Sequence, residues 1–306
     1  MLLTNQRLDK LLASRVDFQA RGMLSGSCLA PNALPTRGTM LPDEVRNVVL
    51  SQNDRNDHQA STNDPFADIH DQGPTEGPKV LSSVSLARCH VRKIPKTFQR
   101  LATLYHLPSL PILSSRFVYE QLHPNTEDIS LVPLAELPSL SDCRVRVFPS
   151  AVATFFAPSD PCGIGGMHHE RIRATPLWRN EYPRYDCVFV MTGLESGIHG
   201  MHVARVRLFF SFIYQRSTYP CAFVDWFISS DTQPDPETGM WIVEPEVDDN
   251  GHNMNSVIHV DTILRSAHLI PVYGNITLPA GFHFSDSLDA FSEYYINRYA
   301  DHRTFE

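Results

Sequence analysis

The sequence has no apolar run that approaches the roughly 20 residues needed for a membrane-spanning helix. Its first stretch, MLLTNQRLDKLLASR, lacks the apolar core of a secretory signal peptide and has no small-residue cleavage site. From these two absences we expect an intracellular protein with no membrane partner.

The sequence also lacks the motifs of several enzyme and metal-site classes. No CxxC pair, HExxH or GxSxG occurs, which argues against zinc knuckles, zinc metalloproteases and serine hydrolases. The scattered cysteines do not form a disulfide framework either, and this usage fits a reducing compartment. We therefore expect no metal, no cofactor and no catalytic residue. The six cysteines are Cys28, Cys89, Cys143, Cys162, Cys187 and Cys221.

The composition nevertheless supports a folded protein with an uneven charge. Hydrophobic residues make up 42% of the chain, which excludes wholesale disorder, and the net charge of −8 does not suggest a protein that coats nucleic acid. However, residues 79–116 carry seven cations and no Asp or Glu. This segment is a solvated helix face, a dock for the acidic remainder, or a nucleic-acid contact. In the last case the contacting residues are Arg88, Arg92, Lys93, Lys96 and Arg100.

Composition and periodicity divide the chain into three parts. Residues 1–78 are predicted to be mostly disordered and acidic, with a short amphipathic helix near residues 5–20. Residues 79–142 are predicted to form a small basic helical segment. Residues 143–306 are predicted to form a β-barrel interaction domain with a C-terminal helix.

Two amphipathic helices are predicted in the middle segment. Pro95 suits a first helical position, and the apolar residues from Phe98 onward follow helical spacing. Ser109 is predicted to cap a second helix whose apolar face includes Leu110 and Phe117. A helix pair of this kind is more often a packing unit than a DNA reader.

From about Arg144 the apolar pattern changes to a period of two, which is typical of β-strands. HVARVRLFFSFIYQ (202–215) predicts a long strand, and YPCAFVDWFIS (219–229) predicts its antiparallel hairpin partner. Ser287 is predicted to cap the terminal helix. Together these patterns predict an α+β fold built around a bent antiparallel β-barrel. Further strands are predicted in YDCVFV (185–190), MWIVEP (240–245), VIHVDTIL (257–264) and AHLIPVY (267–273).

A series of ordered blocks carries a family resemblance. The series includes VFPSAVATFFAPSD (147–160), GIGGMHHERIRATPLWR (163–179), VIHVDTILRSAHLIPVYG (257–274) and SLDAFSEYYINRYADHRTFE (287–306). It resembles the C-terminal region of proteins encoded by Plavaka-type transposons of mushroom-forming fungi, which are similar to the CACTA superfamily. The resemblance implies that the RNase H-like catalytic domain of that family lies upstream of this region. It therefore implies a non-catalytic accessory region or an inactive remnant.

The order of the predicted strands carries a second resemblance, at the level of fold. YD.V.V at residues 185–190 and V.WF at residues 224–227, followed by VIHVDTIL, look like the order of elements in bromo-adjacent-homology (BAH) domains. Those domains are bent, SH3-like β-barrels that act as chromatin and protein interaction modules. The resemblance implies a protein or chromatin partner and a nuclear location.

The stretch YPCAFVDWF (219–227) raises two interpretations. Trp226 shares a face with two small apolar residues, so the simpler interpretation is a core strand. The alternative is an aromatic cage for a methylated lysine, in which ring faces and a carboxylate surround a cation. The cage would be formed by Tyr185, Asp225, Phe227, Trp241 and Tyr273.

The glycine-rich stretch GIGGMHHERIR (163–173) also has two interpretations. Its adjacent histidines would point to opposite faces of a strand, so they would not chelate one metal together. The stretch is either an ordered loop that closes the barrel or an anion cradle made of backbone amides and arginines. The cradle would be formed by Gly163, Gly165, Gly166, Arg171 and Arg173.

Three functions follow from these observations. The first is a non-catalytic accessory region that binds protein or chromatin. The second is a nucleic-acid-binding accessory that uses residues 79–116. The third is an inactive transposon remnant. The salt dependence of DNA binding would separate the first two.

Overall fold

The computed structural model describes residues 82–126, 128–156, 167–179, 181–192, 200–230, 232–273, 278 and 281–297. The predicted disordered part, with its short helix near residues 5–20, lies outside these ranges. Within them no helix is long and apolar enough to cross a membrane.

The two predicted helices are present. Helix α1 spans Phe98–Tyr105 and helix α2 spans Leu110–Leu122. Pro95 lies before α1 and not at its first position, because the helix begins after Thr97. Helix α1 ends where His106 adopts a left-handed conformation, and the apolar faces of both helices are buried. The pair is thus a packing unit of the domain.

Four strands form a smaller antiparallel sheet. They are β1 (Ser82–Leu86), β3 (Ser150–Phe156), β4 (Met167–Trp178) and β5 (Tyr182–Tyr185), and they lie in the order β1-β3-β4-β5. Strand β1 belongs to residues 79–142, which the sequence predicted to be helical, so this prediction is wrong at that strand. Alternate residues along β3 are buried, as expected for a sheet with one covered face.

The larger sheet contains nine strands and is nearly closed, with a barrel-like shape. At its centre lie β7 (Met201–Tyr214) and β8 (Ser217–Ser229), which pair antiparallel as predicted. Strands β6 and β2 pair with successive halves of β7, while β9 and β10 pair with successive halves of β8. The other strands are β2 (Val145–Phe148), β6 (Cys187–Met191), β9 (Ile242–Pro245), β10 (Asn255–His259), β11 (Ile263–Ala267), β12 (Leu269–Pro271) and β13 (Tyr294–Ile296).

A two-residue turn closes the central hairpin. Gln215 and Arg216 both have positive φ angles, of 47° and 68°, which is the geometry of a type I′ turn. Its twist matches that of the flanking strands. A bulge between Val206 and Leu208 then shifts the pairing by one residue.

Among the described residues the core contains three apolar clusters, and the central hairpin contributes to all of them. The first lies between the two sheets and includes Ile172 and Val206. The second lies beneath the helices and includes Phe98 and Phe223. The third lies beneath the C-terminal segment, next to Phe227. Truncating one of the buried Phe side chains would cost about 3–5 kcal/mol of unfolding free energy.

The predicted C-terminal helix is wrong at residues 291–297, while residues 298–306 lie outside the described part of the chain. Helix α3 spans only Ser287–Ala290, and the chain then continues into strand β13. Tyr294 is fully buried, and its hydroxyl donates to the carbonyl oxygens of Ser287 and Phe291. Backbone pairing of β13 with β9 and β12 outweighs the helical spacing of the apolar residues. The domain is therefore β-rich, with three short helices among the described residues.

Candidate nucleic-acid interface

The structure places three of the four rings of the expected aromatic cage in two different core clusters and leaves the fourth exposed. Phe227 is only 4% exposed and packs in the third cluster with Trp241. Tyr185 packs against the first cluster. Tyr273 is exposed, and its ring lies 5.0 Å from that of Phe291. These rings do not surround one open pocket.

The acid of the expected cage already has a cation of this chain as its partner. Asp225 lies 3.5 Å from the guanidinium of Arg207, and the side-chain amide of Asn255 donates to it at 2.8 Å. The same guanidinium lies 4.7 Å from the ring centroid of Tyr185. Burial raises the pKa of the Asp225 carboxyl, although the neighbouring arginines oppose this shift. Asp225 is therefore buried among polar partners of its own chain and does not line an open pocket.

A second ion pair fixes the C-terminal segment to the sheet. Arg205 is buried on β7 and donates to both carboxylate oxygens of Asp289, on α3, at 2.5 and 3.1 Å. Partial burial acts to raise the pKa of Asp289, but the Arg205 guanidinium outweighs it and holds the pKa below its ordinary value. YPCAFVDWF is thus part of a largely buried core strand, which is the simpler of the two interpretations. Trp226, half-buried against the first cluster, donates from its indole nitrogen to the Ser256 hydroxyl at 2.9 Å.

The predicted basic segment lies at the surface and gains two arginines from elsewhere in the chain. The backbone nitrogen of Val91 donates to the carbonyl of Val147, and that of Val145 donates to the carbonyl of Lys96. These bonds place the segment beside strand β2, in which Val145 and Val147 are buried while Arg146 is exposed. We name the resulting set of exposed cations the basic surface. It comprises Arg88, Arg92, Lys93, Lys96, Arg100, Arg144 and Arg146.

The electrostatics of His90 show that part of the basic surface acts together. Burial lowers the pKa of His90, and the nearby charges of Arg146, Arg92 and Lys96 lower it further. Three cations from two segments of the chain therefore contribute to one positive field. The sequence signal for the missed arginines was the alternation Arg144-Val145-Arg146-Val147, which marks a strand with an outward charged face.

The expected anion cradle is represented only by its arginines. Gly163, Gly165 and Gly166 lie outside the described residues. Arg171 and Arg173 lie on strand β4 and not in a loop, so the prediction of a loop is wrong from residue 167 onward. Both point away from the core, because the intervening Ile172 is fully buried.

The adjacent histidines also lie on β4, and they make separate contacts as expected. The ring of His168 lies 5.3 Å from that of Phe155. The Nδ1 atom of His169 lies 2.8 Å from the Thr154 hydroxyl, across the sheet. Throughout the described part of the chain, no group of three or more His, Cys, Asp or Glu side chains is arranged to hold a metal ion.

The arginines of the smaller sheet form a second positive region. Burial lowers the pKa of Arg173, and the charges of Arg184, Arg171 and Arg179 lower it further, while Asp186 acts in the opposite direction. Mutual repulsion of these guanidinium groups would be relieved by an anion bound between them. Arg184 donates to Asp186 at 2.7 Å, which orients its side chain.

Comparisons of the chain with protein-family models, curated proteins and solved structures found no match. The resemblances to Plavaka-type transposon proteins and to BAH domains therefore stay predictions from the sequence.

Proposed function

We propose that this protein is a nucleic-acid-binding accessory that contacts phosphates through the basic surface. The observation that carries the proposal is the pairing of residues 91–96 with strand β2, which adds Arg146 to the cations around His90. Charge on a polyanion is the ligand property that such a surface recognises. We assign no base-reading residue to this surface, so the proposed binding does not depend on base sequence.

The charge distribution also supports a defined orientation on the nucleic acid. The chain as a whole carries a net charge of −8. Outside its positive regions the protein is therefore repelled by phosphates, while the basic surface attracts them. Because each neutralised phosphate of a duplex contributes about −0.9 to the slope of log K against log salt, full use of the basic surface would give a slope near about −6.

A salt titration with charge-reversal variants tests the proposal. The full chain is titrated against a fluorescein-labelled DNA duplex, and anisotropy is recorded between about 50 and 200 mM salt. We expect Arg92→Glu with Arg146→Glu to weaken binding and to flatten the slope by about 2. Arg216→Glu is the matched control, because this exposed arginine lies in the β7–β8 turn. If Arg92→Glu, Arg146→Glu and Arg216→Glu, each made alone, weaken binding equally, the loss reflects only net charge and the proposed surface is refuted.

From the sequence resemblance we further propose that the chain is a non-catalytic, nuclear, accessory region of a fungal transposon protein. The β-rich, barrel-like sheet is compatible with a BAH- or SH3-like relationship, which is proposed from the order of strands. The alternative ligand is a protein. Its binding would release no counterions from DNA, so its affinity would depend much less on salt. Sequencing of the genomic DNA around this coding region tests the origin, since the proposal expects transposon sequence on its flanks.

A further inference from the structure

We propose that the outer face of the smaller sheet binds single-stranded nucleic acid, with exposed aromatic rings stacking on bases and arginines contacting phosphates. This face is distinct from the basic surface, and the proposal does not rest on duplex binding there. It combines the two features that single-strand binding uses, which are a positively charged track and rings that stack on bases.

The register of β4 and β5 places the relevant side chains on one face. Thr175 pairs with Arg184 and Trp178 pairs with Tyr182, and the register shift between Thr175 and Trp178 brings both β4 residues to the face of their partners on β5. Arg171 and Arg173 share the face of Thr175, since alternate residues of a strand point the same way. We name this set the arginine–aromatic face. It comprises Arg171, Arg173, Trp178, Tyr182, Arg184 and, from the turn before α3, Phe284.

The aromatic part of this face is open to solvent. The ring of His283 lies 4.0 Å from that of Tyr182, and the ring of Phe284 lies 5.7 Å from it in an edge-on arrangement. Tyr182 is 37% exposed and Phe284 is 63% exposed. The ring of His283 also lies 4.1 Å from that of Phe284, so a base would stack on the parts of the Tyr182 and Phe284 rings that His283 leaves exposed.

The cationic part is held in place beside these rings. The guanidinium carbons of Arg179 and Arg184 lie 4.5 and 4.8 Å from the ring centroid of Trp178. Cation–π contacts of this kind restrict the side chains, so less entropy is lost when they bind phosphate. Arg171 is exposed further along β4. The positive charges therefore extend along the strand from the aromatic end.

The combination of rings and arginines indicates which ligand binds the arginine–aromatic face. A duplex hides its base faces in its own stack, so it would use the arginines and leave the rings without a role. An acidic peptide would likewise leave the rings without a partner. Unpaired bases expose their π-faces, and their backbone carries the phosphates that the arginines require. Single-stranded nucleic acid therefore uses both parts of the face.

The two positive regions of the molecule adjoin each other. The backbone nitrogen of Ala87, just before the basic segment, donates to the carbonyl of Ser150, and Ser150 pairs with Arg173. Two strand spacings, or about 10 Å, therefore separate the start of the basic surface from the arginine–aromatic face. Any test must separate the contributions of the two.

Substitutions at Phe284 provide the sharpest test, because this side chain is exposed. The full chain is titrated with fluorescein-labelled dT12 and U12, which compare DNA with RNA, and with a DNA duplex. We expect Phe284→Ala and Tyr182→Ala each to weaken single-strand binding by about fivefold to about 150-fold. Phe284→Tyr should bind like the wild type, while Phe284→Leu should bind like Phe284→Ala, since it keeps apolar bulk without a π-face. Leu131→Ala, at another exposed apolar residue, is the matched control.

The outcomes separate this proposal from the one on the basic surface. Weakened single-strand binding in Phe284→Ala, with duplex binding unchanged, supports the proposal for whichever oligonucleotide shows it. The proposal is overturned if Phe284→Ala and Tyr182→Ala both bind dT12 and U12 with wild-type affinity. It is also overturned if Phe284→Leu and Phe284→Tyr bind equally well. The quenching of Trp178 fluorescence by dT12, measured as the difference from Trp178→Phe, is a second readout, and its absence also counts against the proposal. Loss of duplex binding in the variants of the basic surface bears only on the proposed function.

Discussion

We expect Asp289→Ala to destabilise the protein far more than its exposure suggests. The side chain of Asp289 is 61% exposed, and an exposed ion pair is worth about 0–1 kcal/mol. Its partner Arg205, however, is only 8% exposed and gives two hydrogen bonds to the carboxylate. Removing one member of a buried pair costs about 3–5 kcal/mol, because the other charge is left without a partner. Since water reaches the Asp289 side, we expect a loss of about 2–3 kcal/mol.

Urea-induced unfolding, followed by tryptophan fluorescence and circular dichroism, measures this cost. The double substitution Arg205→Met with Asp289→Ala should cost less than Asp289→Ala alone, because no charge is then left buried. Asp261→Ala is the control, since the Asp261 side chain is 74% exposed and pairs with no arginine or lysine in the described part of the chain. A loss below about 1 kcal/mol for Asp289→Ala, or a double variant less stable than the single one, would refute the reasoning.

Three further predictions concern single groups. Burial raises the pKa of the Asp225 carboxyl above its ordinary 3.8, so the contribution of this group to the free energy of unfolding falls as pH rises from 3.8 through the raised value. Urea titrations at several pH values should show a smaller decline in Asp225→Asn, and parallel pH profiles of the two proteins would contradict this. Maleimide should label the exposed Cys89 in the folded protein and spare Cys187, whose pKa burial raises to about 12; peptide mass spectrometry that finds Cys187 labelled without denaturant would disagree. Arg216→Gly should raise the unfolding free energy by about 0.5–1 kcal/mol because glycine adopts the left-handed turn without strain; a lower urea midpoint would oppose this.

The central hairpin and the helix pair could be predicted from the sequence because each is encoded locally. Alternation from 202 to 215 and helical spacing from Phe98 onward need no information from distant residues. Strands β1 and β13 are different, since their short segments become strands only through pairing with β3 and β9. For Tyr294 a helical and an extended conformation both bury apolar neighbours, and the available sheet edge decides between them.

The candidate surfaces were predictable in part for the same reason. Five cations of the basic surface are close together in the sequence, whereas Arg146 joins them through backbone pairing with β2. Alternation identified that Phe227 and Asp225 share a face, but it does not reveal which elements cover that face. The contact between Tyr182 and Phe284 joins residues about 100 positions apart, so no local sequence pattern predicts it.

The shared hairpin has a consequence for how this domain can change during evolution. Since β7 and β8 supply side chains to all three apolar clusters, one inserted or deleted residue within either strand would invert the inward and outward faces beyond that point. The bulge between Val206 and Leu208 holds one extra residue of β7 against β8. Changes in chain length should therefore accumulate in the connections, while the two central strands keep a constant length among descendants of this sequence.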